Sequence, residues 1–368
     1  MKKKNLCKTL LKTMCIVLGI LILALLAYIV YLYASYYRIE DNQELVVEAP
    51  VDDTTTGAAA VLATDTEYSA VTYNIGFGAY LPDYSFFMDG GTSSWAESPE
   101  TVQYAINGAG ELVKSLDPDF ALIQEIDLDA TRSYHTDEYE MLRNILPEYT
   151  TVFAQNYDSA FLFYPFTQPH GSSRAGLGLF SKYPVSSALR RSFPISTSFS
   201  KFFDLDRCYS VSRIPVDNGK ELVIFNLHMS AYGNSDEIRK GQIEMLCNDM
   251  AKEYEAGNYV LCGGDFNHDL KASEEDTESC ESWAFPFPRT ELPEHFAFCL
   301  DLLSSEEQAA LWNSARNADM EYVPGVTYTV TLDGFIISDN IECLSYENIN
   351  TGYSYSDHDP VKMEFVLK

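Results

Sequence analysis

The sequence predicts an α/β domain that follows a single N-terminal membrane-spanning helix. Three observations support this. A run of 20 uncharged residues extends from Cys15 to Ala34. Behind it, short apolar segments with strand character alternate with amphipathic helical segments, which is typical of helices layered on a sheet. The composition, 46% hydrophobic and 13% aromatic, is that of a globular protein rather than a disordered one.

The segment 15–34, CIVLGILILALLAYIVYLYA, has the length and composition of a transmembrane helix. Its 20 residues span roughly 30 Å, the thickness of the hydrocarbon core of a bilayer. Lysines precede it, so the positive-inside rule predicts a cytoplasmic N-terminus, residues 1–14, and an extracytoplasmic body. A cleaved signal peptide is the alternative, but bulky Leu32 and Tyr33 occupy positions where small residues should precede a cleavage site. We therefore predict an uncleaved signal anchor that crosses the cell membrane once.

The next segment, residues 35–66, is acidic at first and then rich in small residues and threonine. This composition predicts a stalk with little fixed structure, followed by one folded domain over residues 67–368. The whole chain has 25 Lys and Arg against 54 Asp and Glu, for a net charge of −29. Such acidity disfavours nucleic acid as a partner, because charge-driven binding draws its affinity from Lys and Arg on phosphates.

Local patterns predict the elements of the body in chain order. Ser98 and Pro99 provide an N-cap and a first-turn proline, and apolar residues then follow at helical spacing. A second helix is predicted over 236–256, with Ser235 as its cap and Gly257 after its end. Strands are predicted at 68–75, 120–126, 174–181, 208–216, 221–228, 258–264, 334–338 and 361–367.

Polar side chains that can bind metals or move protons lie at or near the ends of several of these strands. They are Asn74, Glu125, Asn226, His228, Asp265, Asn267, His268, Asp269, Asp333, Asp357, His358 and Asp359. If the strands lie side by side, these groups converge on one rim. Carboxylate and amide oxygens suit Mg²⁺, Mn²⁺ or Ca²⁺, and the lack of Cys in the set disfavours a structural Zn²⁺ site. Each residue alone is more often a turn or core group, so the combination carries the prediction.

The order of these motifs resembles that of the endonuclease/exonuclease/phosphatase superfamily, which includes DNase I-like nucleases, inositol polyphosphate phosphatases and neutral sphingomyelinases. The matching stretches are TYNI at Asn74, LIQE at Glu125, GLGLFSKYPV at 176–185, FNLH at His228, GGDFN at Asp265 and Asn267, LDGFIIS at Asp333, and SDHDPV at Asp357 and His358. They cover about residues 68–368. The resemblance implies a four-layer α/β sandwich, in which two mixed sheets face each other and helices cover the outside.

The resemblance also implies a metal site for Mg²⁺ or Mn²⁺. Glu125 would be the principal metal-binding carboxylate, with Asn74 nearby and Asp357 contributing from the opposite side. Two departures from the family pattern affect this part of the site. Gly76 stands where some family nucleases carry an acidic residue, and Gly334 stands where an aromatic residue or His often follows the Asp.

The remaining motif residues would act on the phosphate and on the attacking water. Asp265 would orient or deprotonate the water, and Asn267 would bind a phosphate oxygen. His358 would contact the scissile phosphate, held by Asp333 in an Asp–His pair. His228 would be a second histidine on the phosphate side.

The sequence therefore predicts a Mg²⁺-dependent phosphoric ester hydrolase, a phosphodiesterase or phosphatase, tethered to the membrane and monomeric. Its substrate would be a lipid headgroup or another small phosphate ester. An extracytoplasmic nuclease is the alternative, and a binding module without catalysis is a third. The placement of the cations discriminates between the first two, because a groove of cations favours a polynucleotide and a small closed pocket favours a compact headgroup. The candidate cations are Arg174, Lys182, Arg190, Arg191, Arg207 and Arg213.

Overall fold

The computed structural model describes residues 2–52, 61–231, 236–273 and 284–368, in two units, Met1–Arg38 and Ile39–Lys368. The first unit is the helix α1 (Lys2–Ser35). Its segment Leu6–Ser35 has a mean hydropathy of 2.9. Within the described ranges it is the one helix that is long and apolar enough to cross a membrane. The predicted span, 15–34, lies inside it.

The second unit contains four helices and sixteen strands in its described residues. The helices are α2 (Pro99–Leu116), α3 (Glu138–Ile145), α4 (Asp236–Glu255) and α5 (Ser305–Ala310). The strands are β1 (Gln43–Glu44), β2 (Val47–Glu48), β3 (Glu67–Asn74), β4 (Phe120–Ala130), β5 (Thr150–Asp158), β6 (Ser173–Ser181), β7 (Ser187–Ser192), β8 (Cys208–Pro215), β9 (Glu221–His228), β10 (Tyr259–Asp265), β11 (Phe296–Phe298), β12 (Ala315–Arg316), β13 (Thr329–Val330), β14 (Asp333–Ser338), β15 (Ile341–Asn348) and β16 (Val361–Leu367).

Two seven-stranded sheets form the centre of this unit. The first sheet has the order β1-β7-β8-β9-β10-β14-β11, and the second has the order β15-β16-β3-β4-β6-β5-β2. Both sheets are mixed, because β9 and β10 are parallel in the first, β3 and β4 are parallel in the second, and the other pairs are antiparallel. Helices flank the sheets, which confirms the predicted sandwich.

The core lies between the sheets and beneath the helices. Leu122 of the second sheet packs in one apolar cluster with Phe225 and Leu261 of the first, and Leu246 of α4 joins the same cluster. A second cluster joins Ile106 of α2 to apolar residues of β3 and β4. Strands that are buried on both faces need continuous apolar runs, which explains sequences such as ELVIF and YVLC.

Every predicted strand and helix is present, and the predicted ends of the helices follow the local chemistry. The Ser98 side chain accepts a hydrogen bond from Thr101 N at 3.1 Å at the start of α2. Gly257 adopts a φ of +82° after α4, a left-handed conformation that favours glycine. The predicted cap Ser235 lies outside the described residues.

The prediction that residues 35–66 lack fixed structure is wrong for much of that segment. β1 pairs with β7 at an edge of the first sheet, and β2 pairs with β5 at an edge of the second. Leu62 is fully buried and its N–H donates to Pro215 O at 2.8 Å. The acidic, Thr-rich composition concealed a few apolar residues that anchor the segment to the body. Residues 53–60 lie outside the described ranges.

Besides β1 and β2, the sequence patterns missed two helices, α3 and α5, and six strands, β5, β7, β11, β12, β13 and β15. The longer missed strands, β5, β7 and β15, carry polar or charged residues at half or more of their positions, as in SALRRS of β7 and IECLSYEN of β15. In the described residues, β15 is an edge strand of the second sheet. β7 lies next to the edge of the first sheet and is covered there by the two-residue strand β1. Strands near a sheet edge leave side chains in water, so their sequences carry a weaker apolar signal.

Candidate active site

The register of the first sheet places three predicted residues in a row at one end of neighbouring strands. Asp265 ends β10 and stands opposite His228 of β9, its parallel neighbour. The same Asp265 stands opposite Asp333 of β14, its antiparallel neighbour. All three are buried. Residues far apart in sequence therefore become adjacent because their strands are hydrogen-bonded in this register.

Asn74 connects this row to the second sheet. Its side-chain Nδ2 donates to Asp265 Oδ2 at 3.0 Å and to Glu125 Oε1 at 3.1 Å. Its Oδ1 accepts from the N–H of Gly76 at 3.0 Å. The amide of Asn74 therefore fixes the position of two carboxylates, and its oxygen is already engaged by the backbone.

Glu125 reaches the rim because β4 is irregular at this point. The pairing of β4 with β6 shifts between Ile123 and Ile126, and Glu125 has a φ of +56°. A positive φ is uncommon for a residue with a side chain, and bulges of this kind change where a side chain points. Strained residues of this type concentrate at functional sites.

The predicted Asp–His pair forms between Asp333 and His358. His358 Nδ1 lies 2.7 Å from Asp333 Oδ2, and its Nε2 lies 3.8 Å from Asp265 Oδ2. Ser314 Oγ also donates to Asp333 Oδ2, at 2.7 Å. Burial alone would lower the pKa of His358, but the negative charges of Asp333 and Asp265 outweigh it and raise that pKa well above the ordinary value. The two carboxylates therefore favour the protonated imidazolium form of His358.

The pKa of His228 shifts in the opposite direction. Its Nε2 lies 3.6 Å from Asp265 Oδ2 and 3.9 Å from Glu125 Oε1. Burial, followed by the positive charges of Arg207 and His358, lowers the pKa of His228 well below the ordinary value. The site therefore favours a proton on His358 and a neutral ring on His228.

Asp265 and Asn267 form a tight turn after β10. The backbone N–H of Asn267 donates to Asp265 Oδ1 at 2.8 Å, and Asn267 Nδ2 donates to Met229 O at 3.0 Å. Burial raises the pKa of Asp265 to about 7, although the charge of His358 acts in the opposite direction. A carboxyl group that titrates near neutral pH is suited to general-base chemistry.

Asp357 is tied to the end of β3 through Ser356. Ser356 Oγ donates to Asn74 O at 2.8 Å and lies 3.2 Å from Asp357 Oδ1. Burial raises the pKa of Glu125, and the charge of Asp357 adds to that effect. Burial likewise raises the pKa of Asp357. The charge of Asp357 therefore opposes the ionisation of Glu125.

A family model described as the endonuclease/exonuclease/phosphatase family matches residues 71–302. The chain belongs to this family. Family members are typically metal-dependent hydrolases of phosphate esters. No protein with a curated description matches the sequence significantly.

Solved structures of the family share the fold. The protein is similar to an endonuclease/exonuclease/phosphatase from Beutenbergia cavernae, with a TM-score of 0.55, 15% identity, and coverage of 82% of this chain and 72% of that one. A protein of the same description from Bacteroides vulgatus gives a TM-score of 0.53 and 17% identity, covering 83% of this chain and 100% of that one. The human nocturnin catalytic domain, solved with bound sulfate, gives a TM-score of 0.52 and 14% identity, covering 82% of this chain and 94% of that one.

The donor set in this family member fits a divalent cation. Glu125 and Asp357 both line one cavity. His228 Nε2 lies 3.9 Å from Glu125 Oε1, and burial lowers the pKa of His228, which disfavours a positive charge there. A divalent cation would relieve the repulsion between the two carboxylates, and oxygen donors are what Mg²⁺ and Mn²⁺ prefer. Steric contacts account for the two glycines, Gly76 and Gly334, that depart from the family pattern. A Cβ on Gly76 would lie 2.7 Å from the Tyr80 ring, and one on Gly334 would lie 2.9 Å from Leu270.

A second cluster, Asp265, Asp333 and His358, brings potential ligand atoms within 4.8 Å of one another. In this cluster, Asp333 engages one imidazole nitrogen and Asp265 lies near the other. The two flanking carboxylates favour the protonated form of His358, and protonation competes with metal binding. We therefore interpret this cluster as the candidate proton-handling part of the site.

The predicted residues open into a cavity of about 460 Å³. Eight residues were predicted for the site, and Glu125, His228, Asp265, Asn267, Asp357 and His358 line this cavity. Asn74 and Asp333 lie directly behind them. Aromatic residues of the segment that follows β3, Phe77, Tyr80 and Phe86, form part of the wall.

Sequence reasoning missed several polar residues of the cavity wall, among them Arg132, Asn156, His170 and Arg316, and also the acidic residues Asp89, Asp204 and Asp319. Arg132 is held by both oxygens of Asp127, at 2.9 and 3.1 Å, and lies 3.7 Å over the ring of Phe77. Arg316 donates to the carbonyl oxygen of Leu81 at 2.9 Å. These residues lie in turns, in short strands or at a bulge, where no periodic pattern marks them.

The six cations suggested by the sequence do not form a groove. Arg207 lines the cavity, and the other five are engaged elsewhere. Their partners are Asp129 for Arg174, Asp117 for Lys182, Gln155 O and Asp206 O for Arg190, Asp41 and Asp249 for Arg191, and Glu221 and Glu253 for Arg213. A continuous basic track is therefore not formed by these residues.

Proposed function

We propose that the protein is a metal-dependent hydrolase of a small phosphate ester. The observation that carries the proposal is the convergence of Glu125 and Asp357 with Asp265 and the pair Asp333–His358 on one cavity. The first two residues are the metal ligands in this proposal, with Asn74 in support. Mg²⁺ is the preferred ion, and Mn²⁺ is the alternative. Bound there, it would neutralise phosphate charge and polarise the ester bond.

The protein's own side chains handle the water and its proton. Asp265, with its pKa near 7, accepts the proton of the attacking water. Asn74 and the backbone N–H of Asn267 hold the two oxygens of Asp265 in place, which aims the remaining lone pairs at the cavity. This preorganisation lowers the entropic cost of the attack.

The phosphate oxygens are held by the opposite side of the site. Protonated His358 donates from Nε2 toward the developing negative charge, and Asp333 fixes the ring orientation through Nδ1. Asn267 and neutral His228 lie beside Asp265 and contact other phosphate oxygens. These are the roles expected for a hydrolase with in-line attack.

The cavity supports a compact substrate over a polynucleotide. Its volume of about 460 Å³ is that of a small-molecule site. Five of the six expected cations are paired away from it, so a phosphate backbone would meet little unpaired positive charge from them. The strong negative charge of the chain, −29, acts in the same direction.

The helix α1 supports a membrane-tethered enzyme with an extracytoplasmic catalytic unit. Lysines precede the apolar segment, and acidic residues follow it. A protease added to intact spheroplasts should then degrade the catalytic unit and spare the N-terminus. Complete protection of the catalytic unit until lysis would reverse the proposed orientation and return the substrate to the cytoplasm.

The hydrolase proposal is tested with the full chain purified in detergent. Bis(p-nitrophenyl) phosphate, p-nitrophenyl phosphate, inositol phosphates, phospholipid vesicles, DNA and RNA are incubated with Mg²⁺ or with EDTA. We expect metal-dependent release of product from a small ester or lipid headgroup. Preferential cleavage of DNA or RNA would favour the nuclease alternative. No hydrolysis of any substrate at any metal concentration would leave a binding module on the same fold.

A further inference from the structure

Two buried polar side chains, Arg207 and Asn156, line the cavity and carry atoms that have no hydrogen-bond partner among the described residues. Arg207 is 6% exposed and Asn156 is 1% exposed. The unpaired atoms are Nε and Nη1 of Arg207 and both amide atoms of Asn156. Buried polar groups in folded proteins nearly always have partners, so unpaired ones beside a cavity are available to a bound ligand.

The fold brings these two residues together from different sheets. In the pairing of β5 with β6, Gln155 lies opposite Gly176 and Tyr157 lies opposite Ala175, so Asn156 is the extra residue of a bulge. The carbonyl oxygen of Gln155 lies 3.7 Å from the Sγ of Cys208, the residue that follows Arg207. The bulge of one sheet therefore adjoins the start of β8 in the other.

Arg207 differs from the other arginines of the cavity. Arg132 already has both oxygens of Asp127, and Arg316 has backbone carbonyl oxygens. Arg207 forms a long ion pair with Asp204, whose Oδ1 lies 4.0 Å from Nε, beyond hydrogen-bond distance. Arg207 also lies close enough to His228 to lower its pKa, so its charge reaches the reaction centre.

We propose that Arg207 and Asn156 form a second subsite, which binds an anionic group of the substrate other than the scissile phosphate. Arg207 pairs with that anion, and the amide of Asn156 binds the same group or a hydroxyl next to it. The substrate is then a small phosphate ester whose alcohol carries a second phosphate or carboxylate. This inference rests on the proposed function, because it names the substrate class of the same cavity.

The test compares two non-hydrolysable probes on one carbon scaffold, propylphosphonate and propane-1,3-bisphosphonate. Their dissociation constants for the full chain in detergent are measured by calorimetry at saturating Mg²⁺. We expect the bisphosphonate to bind on the order of 10- to 100-fold more tightly, since hydrogen bonds to charged groups are strong. Equal affinities in the wild-type protein would overturn the inference.

The variants assign the preference to Arg207. Arg207→Met should remove the advantage of the bisphosphonate, Arg207→Lys should retain part of it, and Asn156→Ala should weaken it. The matched control is Arg174→Met, which removes the charge of a half-exposed arginine that pairs with Asp129. A preference that survives Arg207→Met and Arg207→Lys unchanged, or that is lost equally in the control, would contradict the subsite.

Hydrolysis of bis(p-nitrophenyl) phosphate, measured on the same preparations, separates this inference from the proposed function. Wild-type protein that hydrolyses this ester but binds both phosphonates equally would refute the subsite and leave the hydrolase intact. Protein that shows the Arg207-dependent preference but no hydrolysis would refute the hydrolase and leave the anion site. Thermal melting of each variant confirms that it is folded.

Discussion

The two sheets deliver different side chains to the same cavity. The first sheet contributes His228, Asp265 and Asp333. The second contributes Glu125 and, in the segment before β16, Asp357 and His358, whose imidazole pairs with Asp333. After the roles proposed above, we refer to His228, Asp265, Asp333 and His358 as the proton half, and to Glu125 and Asp357 as the metal half. Each half is incomplete without the other. Asn74 donates hydrogen bonds to Glu125 of one half and to Asp265 of the other, and so fixes their relative positions.

The sharpest test of this division is the response of each half to metal concentration. Glu125→Gln and Asp265→Asn should each lower kcat about 10³- to 10⁴-fold, because each removes a group needed in the transition state. The Glu125 variant should recover part of its activity as Mg²⁺ is raised, and the Asp265 variant should not. Activity is measured across a Mg²⁺ titration.

Glu111→Gln is the control for both, since it changes an exposed carboxylate of α2 outside the cavity. It should leave the titration curve unchanged. If both site variants respond to Mg²⁺ alike, the two halves are not chemically distinct.

The next effect concerns the charge of His358. Asp333 raises the pKa of His358, so Asp333→Asn should lower that pKa. The protonated form would then be lost at lower pH, and the alkaline limb of the pH–rate profile should move toward acid. We expect kcat at neutral pH to fall about 10²- to 10³-fold.

A second His–Asp pair, on the surface of the protein, is the control for this prediction. His295 and Asp339 form an exposed pair with the same 2.7 Å separation of Nδ1 and Oδ2. Asp339→Asn should leave the profile in place. An unchanged alkaline limb in the Asp333 variant would argue that His358 does not act as the cation.

A smaller effect is expected from the bridge between the halves. Asn74→Ala removes the hydrogen bonds to Glu125 and Asp265 but leaves both carboxylates in place, so we expect about a 10- to 100-fold loss of kcat/KM. The variant should need more Mg²⁺ and should also show a shifted acid limb, because both halves lose a partner. Asn144→Ala, on the exposed face of α3, is the control.

A shift in one property alone would show that Asn74 serves one half only. In the wild-type protein, the acid limb of the pH–rate profile should have its midpoint near pH 7 wherever the metal does not shift it. The reason is that Asp265 must lose its proton to act as a base.

The smallest effect is on stability and arises outside both halves. Burial lowers the pKa of His268 to about 4, below the ordinary value of 6.5. The unfolded state therefore takes up a proton first as pH falls, and stability decreases from about pH 6.5 down to pH 4. For His268, linkage gives a decrease of about 2 kcal/mol in the free energy of unfolding between pH 7 and pH 5.

Denaturant unfolding at the two pH values measures this difference. His268→Gln, which cannot titrate, should reduce it, and His295→Gln, at an exposed histidine, should not. An equal pH dependence in the wild-type protein and the His268 variant would assign the loss to other groups.

Much of this site could be predicted from sequence because strand ends and motif order constrain it. Asp265, Asp333 and His228 follow or begin apolar strands, so their convergence required only that those strands be neighbours. Arg132 and Asn156 could not be predicted in this way. Arg132 lies in a short turn and Asn156 in a bulge, and neither feature leaves a periodic signal.

The stalk prediction failed for a different reason. Composition is an average over a segment, whereas attachment depends on a few residues. Leu45, Val47 and Leu62 pack against the core although their neighbours are acidic or small. Two-residue strands are also too short to produce an alternating pattern.

Under the proposed membrane tether, the attachment of residues 43–48 has a consequence for any protease that would cut the catalytic unit free. β1 covers the open side of β7, and β2 covers the open side of β5, so one short segment shields an edge of each sheet. A cut before Gln43 would shed a soluble domain with both edges still covered. A cut after Glu48 would leave two uncovered strands, which invite pairing between molecules and aggregation. The position of cleavage, over these six residues, would therefore determine whether the released domain stays in solution or aggregates.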